Sequence, residues 1–167
     1  DVDSRPAVLY AQTLHSFFRS LKAAMRHHGG SALLMGNGIN CYYGSFGMAG
    51  LFDIAGTEDD WQRQRGSIEP PSRASLLLRR ALSGSGPFLF LMNSDFSTWT
   101  SDMTRKTFES CLSLGFWPSF FDDSSGANYF KNSSLYNRDR PIFRRYIPLL
   151  RKINQAGWEP EPHASVH

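Results

Sequence analysis

Four apolar runs along the chain each end in a small group of polar residues. These end groups are Asn37, Glu58, Asn93 with Asp95, and Asp122 with Asp123. Continuous apolar runs are typical of parallel strands that are covered on both faces. In α/β proteins, the residues that bind and react follow the carboxyl ends of such strands. The four end groups therefore predict the rim of a ligand site.

Apolar residues at steps of three and four predict helices between these runs. The predicted helices cover residues 6–28, 72–82, 102–114 and 140–155, and the predicted strands cover residues 32–35, 51–55, 87–92 and 116–121. A long polar loop is expected over residues 122–137. Alternating strands and helices indicate parallel strands with crossover helices, although no helix is apparent between Met35 and Leu51.

The chain of 167 residues is long enough for one domain with a substantial core. Its hydrophobic content of 41% and aromatic content of 14% are those of a folded globular protein. We assign this domain to residues 1–157, and residues 158–167 to a C-terminal tail or the start of a following segment.

Charge and motif spacing argue against several classes of function. The net charge is only +3, with basic and acidic residues interleaved, so no nucleic-acid partner is expected. The two cysteines and five histidines have no metal-ligand spacing, and no G-x-G-x-x-G or G-x-S-x-G motif occurs. We therefore expect no metal and no cofactor. No apolar run approaches about 18 residues, which predicts no membrane span.

Five segments resemble the later part of a (β/α)8-barrel glycoside-hydrolase-like family, distantly similar to the alpha-galactosidase and alpha-glucosidase group. They are residues 36–38, 52–59, 91–96, 115–120 and 137–149. Together with the Asp1–Ser4 tip, the similarity covers most of the chain as a loose match of strand ends. It implies an α/β fold that is a partial TIM (β/α)8 barrel, from the end of strand four through strand and helix eight.

The resemblance also implies two catalytic carboxylates. Related enzymes carry a nucleophile after strand four and an acid/base after strand six, and those places hold Asp3 and Glu58 here. Glycoside hydrolysis needs one carboxyl kept protonated and the other ionised. The alternatives are a solvated residue for Asp3 and a helix-start carboxylate for Glu58.

Five further side chains are candidates for binding the substrate: Asn37, Asp53, Trp61, Asn93 and Asp95. Amide and carboxylate groups can hold vicinal hydroxyls, and an indole ring can stack on a sugar. The alternatives are ordinary turn or cap roles for the Asn and Asp residues, and for Asp53 an inward-facing residue bonded to its neighbours.

The expected function is therefore that of a glycoside hydrolase acting on a carbohydrate. A non-catalytic carbohydrate-binding or interaction protein is the alternative, and a binding protein for another small ligand is the weakest of the three. Since half a barrel leaves strand edges and an inner face uncovered, we also expect self-association through the open sheet edges.

Overall fold

The computed structural model describes residues 5–31, 33–37, 48–59, 62–64, 67–93, 96–121, 129–130 and 133–157, with the backbone alone for residues 5, 7, 57–59, 62–64, 67–69, 93, 121 and 133. The helices are α1 Arg5–His27, α2 Arg73–Ser83, α3 Ser101–Leu114 and α4 Ser133–Ala156. The strands are β1 Met35–Asn37, β2 Ile54–Asp59, β3 Gln62–Gln64, β4 Ser67–Glu69, β5 Phe88–Asn93 and β6 Phe116–Phe121. A 3-10 turn spans Phe96–Thr98, and another covers residues 48–51.

Four strands form one parallel sheet in the order β1-β2-β5-β6, which is also their order along the chain. β3 and β4 form a separate antiparallel pair. Crossovers between parallel strands are almost always right-handed, so a sheet that grows in one direction places its crossover helices on one face. The predicted α/β class with parallel strands is confirmed.

The hydrophobic core lies between this sheet and the helices α3 and α4. Alternate positions of β5 are buried, among them Phe90 and Met92, and so is Phe120 of β6. Phe120 contacts Phe108 of α3 at a ring distance of 6.2 Å, and Phe108 stacks on Tyr146 of α4 at 5.6 Å. The intervening sheet positions are only half-buried. The side chains on one face of the sheet are thus buried under α3 and α4, and those on the other face are partly exposed.

Local capping explains why α2 and α3 begin where the sequence predicts. The Ser72 hydroxyl accepts a hydrogen bond from the Ser75 amide at 3.2 Å, and the Thr100 hydroxyl accepts one from the Met103 amide at 3.2 Å. α3 ends at Gly115, whose φ of 65° and ψ of 29° are left-handed. Such caps depend on neighbouring residues only, which is why the sequence reveals them.

The bounds of β1 and β2 differ from prediction. β1 begins at Met35 rather than at residue 32, and β2 begins at Ile54 rather than at residue 51, so that Leu51 belongs to a 3-10 turn over residues 48–51 instead of starting a strand. Gly56 and Glu58, expected beyond the strand, therefore lie within β2. The hairpin of β3 and β4 was not predicted.

The start of α4 also differs, because the helix begins at Ser133 and includes residues assigned to a loop. Pro141 and Pro148 both lie inside it, although an internal proline costs about 3 kcal/mol. Burial of Leu135 and Asp139 anchors the first turns against the core. Tertiary packing therefore outweighs the local signals for a loop.

Pro118 lies within β6, and the strand nevertheless runs over six residues. Within the described sheet β6 is an outer strand, and outer strands tolerate a residue without an amide hydrogen.

Candidate functional site

The carboxyl ends of three parallel strands carry predicted site residues. Asn37 is the last residue of β1 and is exposed, Glu58 is the penultimate residue of β2, and Asn93 is the last residue of β5. The register pairs Asn37 with Gly56, two residues before Glu58. It pairs Glu58 with Leu91, two residues before Asn93. The three polar positions therefore form a diagonal row that advances by two residues from strand to strand.

A step of two residues keeps the same alternation along a strand. By the strand register, the positions of Asn37, Glu58 and Asn93 consequently belong to the same face of the sheet as those of Leu89, Leu91 and Trp117. The last three residues are half-buried. The fully buried positions of the sheet, such as Met92, belong to the opposite face.

Several predicted residues lie outside the described residues, namely Asp3, Trp61 and Asp95. For Glu58 and Asn93 the structure describes only the backbone. The pairing of Asp3 with Glu58 as two catalytic carboxylates, and the binding roles of Trp61 and Asp95, therefore stay predictions.

Asp53 is held at the amino end of β2. Lys22 of α1 donates hydrogen bonds from Nζ to Asp53 Oδ1 at 2.7 Å and to the Leu51 carbonyl at 3.1 Å. The Leu34 amide donates to Asp53 Oδ2 at 3.0 Å. The Lys22 hydrogen bond, followed by the one from Leu34, lowers the pKa of Asp53. These contacts join α1 to the amino ends of β1 and β2.

Asp53 therefore lies at the amino ends of the strands, whereas Asn37 and Glu58 lie at the carboxyl ends. Five residues along an extended strand separate Asp53 from Glu58, which is about 16 Å. A cleft of about 210 Å³ adjoins Asp53, and it is lined by Lys22, Met25, Arg26, Gly30, Ser31, Leu33 and Asp53. Its volume is below the range of about 300–1,000 Å³ that is typical of ligand pockets.

Within the described part of the chain, an extensive polar cluster surrounds the fully buried carboxylate of Asp139 in α4. Ser101 and Thr104 of α3 each donate a hydroxyl hydrogen bond to it at 2.6 Å. Tyr129 donates its phenol at 2.7 Å, and Arg138 donates from Nε at 2.7 Å and from Nη2 at 2.9 Å. Five donors thus converge on two carboxylate oxygens, which fills their acceptor capacity.

This cluster also fixes the turn that follows β5. Arg138 Nη1 donates to the Trp99 carbonyl at 2.9 Å, and Trp99 Nε1 donates to Thr104 Oγ1 at 2.8 Å. Burial by itself would raise the pKa of Asp139, but the hydrogen bonds from Arg138, Ser101 and the other donors lower it well below its usual range. The carboxylate therefore stays ionised, which suits a structural role rather than proton transfer at neutral pH.

Asp139 is not among the residues predicted from the sequence, although the sequence contains one signal for it. Leu135, Asp139 and Phe143 follow one another at steps of four residues, so the carboxylate occupies the apolar stripe of a helix. A charge in such a stripe must be paired if the stripe is buried. The Ser101 and Thr104 partners lie far away in sequence and could not be identified from this signal.

Arg80 of α2 is a second buried charge, with 2% exposure. Its Nη2 donates to the carbonyls of Gly84 and Gly86 at 2.5 Å, and its Nη1 donates to the Leu114 and Gly115 carbonyls at 3.4 and 3.5 Å. Burial lowers the pKa of Arg80 to about 10, so the side chain remains charged at neutral pH. A cation here complements the negative ends of the α2 and α3 dipoles.

The described ranges contain neither a cluster of metal ligands nor a helix that could cross a membrane. No group of three or more His, Cys, Asp or Glu side chains there could hold a metal ion. Cys111 is fully buried, which raises the pKa of its thiol. Among the same residues, every helix is too short or too polar to cross a membrane.

Comparison of the chain with protein-family models, curated proteins and solved structures gives no match.

Proposed function

We propose that the protein is a carbohydrate-active member of the (β/α)8-barrel glycoside-hydrolase-like class, whose site lies at the carboxyl edge of the sheet. The observation that carries this proposal is the diagonal row of Asn37, Glu58 and Asn93 across three parallel strands. In barrel enzymes, the reacting residues come from the carboxyl ends of several different strands.

The order of the strands also favours a barrel over a nucleotide-binding fold. The described parallel strands follow one another in chain order. A doubly wound sheet binds its ligand at a switch point, where the strand order reverses. The order β1-β2-β5-β6 contains no such reversal. A sheet that keeps growing in one direction, with its helices on one face, is the arrangement that closes into a barrel.

The half-buried positions of the sheet suit a sugar. Leu89, Leu91 and Trp117 belong to the same face of the sheet as the row of Asn37, Glu58 and Asn93, and each of their side chains is only partly buried. In a barrel, this face is the interior, below the rim where the substrate binds. Apolar side chains below a polar rim are typical of ligand sites, which combine a mainly apolar lining with a few polar groups.

Within this site Glu58 acts as the acid/base and Asp3 as the nucleophile. A separation of about 5 Å between their carboxyl groups would let Asp3 form the covalent intermediate and give retention, whereas at about 6.5–9.5 Å Asp3 would instead activate a water as a base and give inversion. Asn37 and Asn93 bind hydroxyl groups on either side of Glu58. The activity requires neither a metal nor an organic cofactor.

The test compares two variants with a matched control. Glu58→Gln and Asp3→Asn remove the proposed carboxylates, whereas Glu109→Gln changes an exposed glutamate on α3. Hydrolysis is measured over a panel of aryl glycosides, and binding of mono- and oligosaccharides by ligand-observed NMR. We expect both site variants to lose at least about 100-fold in kcat, because Glu58→Gln removes acid–base catalysis, which contributes that much, and Asp3→Asn removes the second carboxylate that the reaction needs. Glu109→Gln should retain activity.

The outcomes separate the possibilities. Wild-type activity in both site variants would refute the assigned roles. Saccharide binding that weakens in Asn37→Ala and Asn93→Ala, without turnover by any form, would indicate the non-catalytic binding alternative. If no sugar of the panel is either hydrolysed or bound, the proposal is refuted altogether.

A further inference from the structure

The cleft at the amino ends of β1 and β2 is shaped by the turn that ends α1. This turn is a Schellman motif, in which the Gly29 amide donates to the Arg26 carbonyl at 3.2 Å and the Gly30 amide donates to the Met25 carbonyl at 3.4 Å. Gly29 has a φ of 71°, which lies in the left-handed region that favours glycine. The two adjacent glycines therefore determine how the chain leaves α1, and the residues that follow them form part of the cleft wall.

The described residues that line this cleft include two cations and one carboxylate, which gives a net charge of +1. Lys22 binds Asp53 at 2.7 Å, so these two charges largely compensate each other. Arg26 lies one turn after Lys22 on α1 and is exposed. Within the part of the chain that the structure describes, no hydrogen bond or ion pair engages the Arg26 guanidinium. The cleft thus presents an uncompensated cation whose donors are available to a ligand.

The other side chains of the cleft are apolar or small. Met25 is half-buried, Leu33 is 66% exposed, and Ser31 contributes an exposed hydroxyl group. A ligand with a short hydrocarbon part would remove apolar surface of Met25 and Leu33 from water, which is favourable. At about 30 Å³ for each water, the volume of 210 Å³ holds roughly seven waters. The space therefore suits a ligand of a few non-hydrogen atoms and is too small for an oligosaccharide.

From this arrangement, we propose that the cleft binds a small monocarboxylate, whose carboxylate pairs with Arg26 and whose short hydrocarbon lies against Met25 and Leu33. A planar guanidinium can hold a carboxylate by two parallel hydrogen bonds. The hydroxyl group of Ser31 is a further donor in the same cleft. A single negative charge on the ligand balances the net charge of the lining side chains.

Asp53 favours a monocarboxylate over a phosphate dianion. The hydrogen bonds from Lys22 and from the Leu34 amide lower the pKa of Asp53, so its carboxylate is ionised at neutral pH. A dianion would place two negative charges beside this carboxylate, whereas a monocarboxylate places one. The cleft also adjoins the carboxyl end of α1, whose dipole disfavours negative charge, and a dianion loses more there than a monoanion.

This site is separate from the proposed carbohydrate site. It lies at the amino ends of the strands, and Asp53 is about 16 Å along β2 from Glu58. The inference uses neither the barrel resemblance nor the chemistry of glycoside hydrolysis. Its test needs no sugar, so it can succeed or fail independently of the proposed function.

Methyl NMR of the full chain, labelled with ¹³C at the methionine methyl groups, tests whether a carboxylate binds at this position. Butyrate is added to about 50 mM at pH 7 and constant ionic strength, because salt screens exposed charges. We expect the Met25 signal, assigned with Met25→Leu, to shift with a dissociation constant of about 1 mM, which is typical of so small a ligand. The signal of Met92, which is fully buried in the core, should stay in place.

Two variants and one analogue separate the parts of the interaction. Arg26→Gln should weaken butyrate binding at least about 10-fold, because charge-assisted bidentate hydrogen bonds are strong. The matched control Arg151→Gln changes an exposed arginine of α4 and should leave binding unchanged. Leu33→Ser should weaken butyrate but not acetate, because acetate lacks the longer hydrocarbon. Butyramide, the uncharged analogue, should bind at least about 10-fold more weakly than butyrate.

The ligand-free methyl spectrum shows that each variant is folded, since the Met92 signal reports the core. An unchanged Met25 signal in the presence of butyrate would overturn the proposal. Equal affinity of the wild type and Arg26→Gln, or equal affinity for butyrate and butyramide, would overturn it as well. If inorganic phosphate binds more tightly than butyrate, the assignment to a monocarboxylate is wrong.

Discussion

Replacing Asp139 with asparagine should destabilise the fold strongly. The carboxylate has no solvent exposure and accepts hydrogen bonds from Ser101, Thr104, Tyr129 and Arg138. Asparagine keeps the shape but removes the charge, and its NH2 group must face donors. Breaking a buried charged pair by removing one partner costs about 3–5 kcal/mol. That is a large share of the roughly 5–15 kcal/mol by which most domains are stable.

Urea unfolding at pH 7 measures this effect, with tryptophan fluorescence and far-ultraviolet circular dichroism as separate probes. The midpoint should fall while the denaturant slope stays constant, because the surface exposed on unfolding does not change. Asp102→Asn is the matched control on α3, where the exposed carboxylate pairs with Lys106 and Arg105. We expect a much smaller change there, since exposed ion pairs contribute little.

Acid gives an independent measurement of the same carboxylate. The pKa of Asp139 is lower in the folded protein than the unfolded value of about 3.9, so the unfolded state binds the proton first. Its contribution is complete above about pH 5 and is lost as the pH falls through 4 towards the folded pKa. Asp139→Asn should therefore reduce the loss of stability between pH 5 and 3. A cost below about 1 kcal/mol at pH 7, or an unchanged acid profile, would refute the reasoning.

Two further substitutions test other buried features. Arg80→Leu removes the donor from the Gly84 and Gly86 carbonyls and should cost about 2–4 kcal/mol, measured as a lower thermal midpoint and urea midpoint; a neutral result would show that these carbonyls find other donors. Gly115→Ala places a side chain in the left-handed region and should cost about 1–2 kcal/mol, whereas Gly50→Ala, with open space around the new methyl, should cost much less; equal costs would contradict this interpretation.

The predicted elements that agree with the structure are those determined by adjacent residues. α2 starts after Ser72 and α3 ends at Gly115, and both signals act within one turn of the helix. β5 coincides with the most apolar run of the chain and is bounded by Gly86 and Pro87. In these places, the local preference and the tertiary environment favour the same structure.

Where contacts with distant residues decide the local structure, the predicted boundaries of the elements differ from the observed ones. Leu51 and Phe52 look like the start of a strand, but the Phe18 ring of α1 packs on Phe52 at 5.0 Å and Lys22 binds the Leu51 carbonyl. These contacts belong to a turn that packs against α1, and the strand starts after it. The partner that decides the local structure is about 30 residues away.

The two buried or half-buried aspartates show the same limit for the candidate site. Asp53 interrupts an apolar run and Asp139 an apolar stripe at helical spacing, and either could have been a ligand or a structural residue from sequence alone. Lys22 and the Leu34 amide hold Asp53, whereas hydroxyl groups of α3 hold Asp139. The chemistry of a carboxylate depends on these partners, which the chain brings together only on folding.

Register gives the reason for preferring Glu58 over its neighbour Asp59 as the acid/base. Asp59 pairs with Met92, which in turn pairs with Phe120, and both of these are buried on the helix-covered face. Glu58 pairs with Leu91, which is half-buried and belongs to the other face of the sheet. Because side chains alternate along a strand, a slip of one residue would exchange the two carboxylates. The candidate site is thus specified by strand pairing as much as by residue type.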